Sequence, residues 1–312
     1  MRAERVARRD SCARQGRATY TWESYADPLS TMRPTLRSLV LLAIGLMGGA
    51  VQAQVLATGG VRALAMGRTG VALQGEAWGH HNAGAWSALE GRRVGLMASQ
   101  QYALSELRLL SLAVAQPVAF GGERRLVAAV TAETFGFEDY RETTVGLGAA
   151  RRVGLGGSRV LHVGLHAEYF SLSIPDYVSR GLFAVSVGVQ GEVIRGVTLG
   201  LAARRLGHTA DDLGVPASMV PALAAALAYR PSEKGLVTLG VEQDLGDFPL
   251  SVRGGVEILP VPVLALRAGF TTAPERFSAG VGLRLGGLRA DLAAENHQDL
   301  GLVPAIEVGF AW

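Results

Sequence analysis

The chain has 312 residues, with 30 Lys+Arg against 27 Asp+Glu and 41 glycines, and its pI is near 9.3. Eight of the basic and four of the acidic residues precede Gln54, which leaves 22 basic and 23 acidic residues after it. That near-neutral remainder removes the support for a nucleic-acid partner. The single cysteine, Cys12, also lies in the front of the chain, so the rest can hold neither a disulfide framework nor a thiolate metal site.

Met32-Arg33-Pro34-Thr35-Leu36-Arg37 is a short basic start, residues 39–47 are apolar, and Val51-Gln52-Ala53 is a small-x-small sequence. Together they predict a signal peptide over residues 32–53, cleaved after Ala53. The apolar run is too short to cross a bilayer as a helix, which takes about 20 residues. Residues 1–31 have no apolar periodicity and would bury that basic start inside a polar extension. They read as a misassigned upstream stretch, with Met32 as the expected initiator.

Residues 54–91 lack strand alternation. They contain Gly60-Val61-Arg62-Ala63-Leu64-Ala65-Met66-Gly67-Arg68-Thr69-Gly70 and then Asn82-Ala83-Gly84-Ala85-Trp86. In order and spacing these two runs resemble the opening of the PorV/PorQ-like branch of FadL-type outer-membrane β-barrels, which has a Gly-Met-Gly-Gly-Ala-like run followed by Asn-Pro-Ala-Gly-Leu. Here Ala83 stands at the proline and Arg68-Thr69 interrupts the glycines. The resemblance implies that this stretch folds into the barrel as a hatch carrying Met66, Gly67, Gly70, Asn82 and Gly84. It also implies passage of hydrophobic compounds. Glycine-rich backbone suits a crowded inner wall, and an asparagine can satisfy backbone groups in a turn. The plainer alternative is a periplasmic linker or a turn leading into the first strand.

From about Arg92 to Trp312 the pattern is repetitive: runs of about ten alternating residues, each closed by a turn signal, as in membrane-spanning strands. Phe183, Val185, Val187 and Val189 oppose Ala184, Ser186, Gly188 and Gln190, while Leu199 and Leu201 oppose Thr198, Gly200 and Arg204. Leu266 and Phe270 oppose Arg267, and at the C-terminus Ile306, Val308, Phe310 and Trp312 oppose Glu307 and Gly309. A Gly286-Gly287 hairpin turn predicts pairing of Leu285 with Leu288, Leu283 with Ala290, Val281 with Leu292, Gly282 with Asp291 and Ser278 with Glu295. All its apolar pairs then share one face, a coincidence that a one-residue slip would destroy. Counting runs predicts an all-β, antiparallel transmembrane barrel of about 14 strands over residues 92–312. Short connections are expected near 154–158, 193–196, 259–262 and 286–287, and longer ones near 172–179, 207–218 and 296–302. Short periplasmic turns would put both ends of the barrel in the periplasm. A secreted β-sandwich or soluble barrel is the alternative, but it would cover its outer face with charge, and only 18% of the chain is charged.

The alternation assigns Val185, Val187, Leu199, Leu201, Phe270, Val281, Leu292, Phe310 and Trp312 to lipid. It assigns His162, His166, Glu168, Arg204, Glu242, Glu257, Arg267, Arg284, Asp291 and Glu295 to the lumen. The lumenal charges are of mixed sign, with Glu257 opposite Arg267 and Arg284 diagonal to Asp291. Such pairs point to bracing or docking more than to a charge-selective pore. His162, His166 and Glu168 share a strand face, but residues four apart on a strand lie about 13 Å from each other, too far to share a metal. His80 and His81 read as solvated turn residues. Residues 184–188 lack the first glycine of a nucleophile elbow, and Gly146-Leu147-Gly148 and Gly280-Val281-Gly282 lack a surrounding βαβ unit. A lipid hydrolase would need a nucleophile and base at the lipid face, where the pattern places only apolar residues. The sequence therefore predicts a non-enzyme with no cofactor or metal. Its expected partners are outer-membrane lipid and either a small hydrophobic ligand or a secretion-system protein. The two functional readings are a FadL-like transporter and a PorV/PorQ-like scaffold for secretion or surface attachment.

Overall fold

The computed structural model describes residues 59–119, 125–157, 159–176, 178–207, 219–246 and 248–312. The predicted upstream extension and signal peptide, and most of the expected 207–218 loop, lie outside these residues.

Fourteen antiparallel strands close into one barrel. They are β1 (Arg93–Gln100), β2 (Arg108–Ala119), β3 (Arg125–Phe137), β4 (Tyr140–Gly154), β5 (Val160–Ile174), β6 (Val178–Ile194) and β7 (Val197–Leu206). The second half comprises β8 (Ala222–Ser232), β9 (Gly235–Asp244), β10 (Ser251–Val261), β11 (Leu264–Thr272), β12 (Glu275–Leu285), β13 (Leu288–His297) and β14 (Gly301–Ala311). Each strand pairs with its chain neighbour, and β1 pairs with β14 to close the cylinder, so no edge is left unpaired. The Gly286-Gly287 turn sets the register predicted for it: Leu285 faces Leu288, Val281 faces Leu292 and Ser278 faces Glu295. Glu257 likewise faces Arg267 across β10 and β11.

Two features depart from strict alternation. The expected long loops over 172–179 and 296–302 are connections confined to 175–177 and 298–300, because the flanking strands run on to pair Ile174 with Val178 and His297 with Gly301. The polar Ser173, Ser179 and Arg180 that resembled a loop are paired strand residues. In β7, the consecutive residues Arg204 and Arg205 are both buried. A register shift against β6 makes this possible: Arg205 takes φ 55°, and its amide donates to Ser186 Oγ at 3.0 Å. This is how a bulge aims two neighbours to one side.

Before β1, residues 59–91 form a short helix, α1 (Val61–Ala65), and 3-10 turns at Gly70–Ala72 and Ala83–Ala88. Nearly every residue from 59 to 89 is buried. Helix α1 packs on β11 to β14, the first turn on β7 and β8, and the second on β3 to β6. A single segment can touch strands all around a cylinder only from its inside.

Candidate functional site

Arginines and carboxylates tie the N-terminal segment to the wall. Arg62 donates to both oxygens of Glu257, at 2.8 and 2.7 Å, and from Nη1 to Glu76 at 2.8 Å. Glu257 also accepts from Arg267 Nε at 2.7 Å, and Arg267 continues to Asp291. Glu76 is gripped on its other side by Arg289 at 2.7 Å. Burial pushes the Glu76 carboxyl up, but Arg289 and Arg62 outweigh it and hold the group at about 2. Burial likewise opposes the charge on Arg62, but Glu76 and Glu257 more than compensate and raise its pKa. At the far end of α1, Arg68 forks onto Glu295 with two 2.8 Å bonds, and Arg276 meets the same carboxylate at 2.8 Å. A third cluster lies within the wall, where Glu242 accepts two bonds from Arg253, at 2.7 and 2.9 Å, and one from Arg204. Paired, forked geometry of this kind is what buried charges require.

Neutral donors complete the attachment. Glu307 accepts from the Val61 amide and from Trp78 Nε1, both at 2.7 Å. The Gly67 amide donates to Ser278 Oγ at 3.1 Å, and Met66 is fully buried against Gly255. Asn82 Nδ2 donates to the carbonyls of Val71, Val189 and Leu201, at 2.8, 3.0 and 3.3 Å, while its Oδ1 accepts the Gly84 amide at 2.9 Å. Gly70 packs against His81. The approach is backbone to backbone at two places. A side chain on Gly269 would strike Met66 and Gly67, and one on Gly84 would strike the carbonyls of His162 and Gly188. Glycine is needed there for proximity, and at Gly67 also for its φ of 64°.

The wall histidines also meet the segment. His162, half-buried, shares a 2.7 Å hydrogen bond with Ser87 Oγ, while His166 bonds Thr131 Oγ1 at 3.0 Å and packs edge-on against Trp86. Glu168 is buried beside His166, 3.7 Å from its Nδ1. His80 and His81, expected to be solvated, are buried, because their turn faces the wall and not a periplasmic surface. Among the described residues no group of three or more His, Cys, Asp or Glu is placed to hold a metal ion.

Of the other residues assigned to the interior, Arg204, Glu242, Glu257, Arg267, Asp291 and Glu295 are buried. Arg284 is the exception: its side chain stays 29% exposed and reaches Glu257 only at 3.5 Å. On the opposite face Val185, Leu201, Phe270, Val281, Leu292, Phe310 and Trp312 are exposed. Val187 and Leu199 are half-covered by cross-strand neighbours such as Leu165 and Leu227. Exposed aromatics gather toward the two rims, with Phe137, Tyr169, Phe183 and Phe277 at one and Tyr229, Phe310 and Trp312 at the other. Sequence reading gave no ionic role to Arg62, Arg68 or Glu76. The available signal was two arginines six apart in an otherwise apolar run.

These features define the class: a closed 14-stranded antiparallel barrel with an apolar outer face and an interior filled by its own N-terminal segment. No protein-family description and no curated protein matches the chain. Solved structures do share its fold. It is similar to the CymD monoaromatic hydrocarbon channel at 12% identity and a TM-score of 0.59, covering 83% of this chain and 99% of that one. It is also similar to the Pseudomonas putida toluene transporter TodX (12% identity, TM-score 0.56, covering 83% and 98%). The Ralstonia pickettii toluene transporter TbuX compares in the same way (11% identity, TM-score 0.57, covering 82% and 98%).

Proposed function

We propose that the protein is an outer-membrane, FadL-like barrel, exported by the signal peptide at residues 32–53, that admits small hydrophobic compounds past a hatch formed by residues 54–91. The observation carrying this reading is the combination of an apolar outer face with an interior filled by a segment held through polar ties. Lipid would cover the outward Val, Leu and Phe side chains, and the rim aromatics would sit at the two interfaces. The fold likeness to hydrocarbon channels supports the cargo class. So does an apolar cluster of Phe170, Leu172, Ala184 and Met219, flanked by Tyr140 and Leu182, toward the rim opposite the Arg93 and Ala311 strand ends. With those strand ends in the periplasm, this cluster lies toward the outside. Transport requires no catalytic group, and the protein is read as a non-enzyme.

The test is uptake of a fatty acid and of toluene into liposomes, comparing the intact barrel with a form lacking residues 60–91. Uptake by the intact form supports the reading, and absence of uptake by both forms ends it. One observation favours a second reading, that of a PorV/PorQ-like scaffold with a sealed interior and a secretion or surface-attachment partner. It is the backbone-tight fit of Gly67 and Gly84 against the wall, which resists displacement. Failed uptake together with specific capture of a secretion-system protein by the 207–218 loop would favour it.

A further inference from the structure

Five buried carboxylates of the interior, Glu76, Glu242, Glu257, Asp291 and Glu295, each sit against an arginine. Glu133 on β3 and Glu168 on β5 do not. Among the described residues, each has a single basic group within ion-pair distance, and that group is an imidazole: His80 Nε2 at 3.6 Å from Glu133, and His166 Nδ1 at 3.7 Å from Glu168. Neither separation is a hydrogen bond. Both nitrogens of His80 and the Nδ1 of His166 are buried without a hydrogen-bond partner. The two rings meet edge-on, with centroids 5.4 Å apart. The groups facing this pair are Glu133 and Thr131 from β3, Glu168 from β5, Ser186 from β6, Arg205 from β7, and Trp78 and Trp86 from the segment itself. Ser111 of β2, a neutral donor, gives Glu133 a hydrogen bond at 3.0 Å.

We propose that His80 and Glu133 form a proton-operated tether that holds the N-terminal segment to the β3–β5 wall more tightly in acid than in alkali. Imidazole is the side chain that ordinarily changes charge between pH 5 and 8. A proton on His80 converts the 3.6 Å contact into a charged hydrogen bond between segment and wall, in a site where burial strengthens such a bond. Charging both rings at once is opposed by their edge contact. Arg205 lies within electrostatic reach of Glu168, though not in ion-pair contact with it, so of the two carboxylates Glu133 is the one left in need of a cation. The tether's consequence for uptake rests on the hatch reading, but the tether itself does not.

The experiment is hydrogen–deuterium exchange of residues 76–86 in the full chain, folded in detergent or lipid and corrected for the intrinsic pH dependence of exchange. The wild-type segment should be about tenfold better protected at pH 5 than at pH 8, the effect of gaining one charge-assisted hydrogen bond. His80→Gln and Glu133→Gln should each lose that difference, with unchanged heat-modifiable migration showing an intact barrel. Equal protection at both pH values in the wild type, a reversed difference, or one that persists in either variant would overturn the proposal. Uptake assays on the same samples separate the two readings. A pH-dependent segment in a barrel that transports nothing retains the tether and removes the hatch function, whereas transport without pH-dependent protection does the reverse.

Discussion

Replacing Glu257 by Gln removes the carboxylate on which three arginines converge. Glu257 is 1% exposed, and it accepts bonds of 2.7 to 2.8 Å from Arg62 and Arg267, with Arg284 farther off at 3.5 Å. Breaking a buried ion pair from one side costs about 3–5 kcal/mol, because the remaining charge is stranded. Here the stranding is partial. Arg62 keeps Glu76 and Arg267 keeps Asp291, which places the expected loss at the lower end, about 3 kcal/mol. That corresponds to roughly a hundredfold change in the folded-to-unfolded ratio. The assay is urea unfolding of the barrel refolded into bilayers. A companion set of Arg62→Met, Glu257→Met and the double variant would measure the coupling directly, and the double variant should lose less than the sum of the single ones. A loss below about 0.5 kcal/mol for Glu257→Gln, the value of an exposed surface pair, would refute the claim that this network holds the segment to the wall.

Leu292→Arg, on the outward face in mid-strand, should cost about 2–4 kcal/mol in bilayer refolding if that face meets hydrocarbon; a negligible cost would count against the membrane reading. Asn82→Ala leaves the Val71, Val189 and Leu201 carbonyls without their shared donor. It should destabilise the segment by about 1–3 kcal/mol, seen as faster amide exchange at residues 71–84 while the strands stay protected. For Glu76 the folded carboxyl is depressed from its ordinary 4.5 to about 2. Its contribution is therefore fully present above about pH 4.5 and is lost as pH falls from there toward 2. Acid titration of segment protection should show that loss, and Glu76→Gln should weaken attachment at neutral pH and flatten the titration.

The barrel was legible because its information is local. Alternation in β6, β11 and β14 shows within about ten residues which side of each strand is apolar, and the Gly286-Gly287 turn fixes a register over its immediate neighbours. Glu257 opposite Arg267 followed from the same short-range logic. The segment's attachments could not be read this way, since Arg62 finds Glu257 and Arg68 finds Glu295 at sequence separations of 195 and 227 residues. Only closure of the cylinder brings them together. The bulge at Arg204 and Arg205 was hidden because a period-two reading must place neighbours on opposite sides. The connection at 175–177 was misjudged because polar residues that continue two paired strands look the same in sequence as a loop.

The close seating of Gly67 on Gly269 and of Gly84 on Gly188 constrains how the molecule is built. At both places the segment's backbone lies against the wall with no room for an added Cβ. Residues 59–91 lead directly into β1, and β1 meets β14 along the seam that ends in the reciprocal bonds between Arg92 and Trp312. The stretch that fills the cylinder is thus continuous with the strand that seals it, so the packing of the interior and the seam of the wall share one piece of chain.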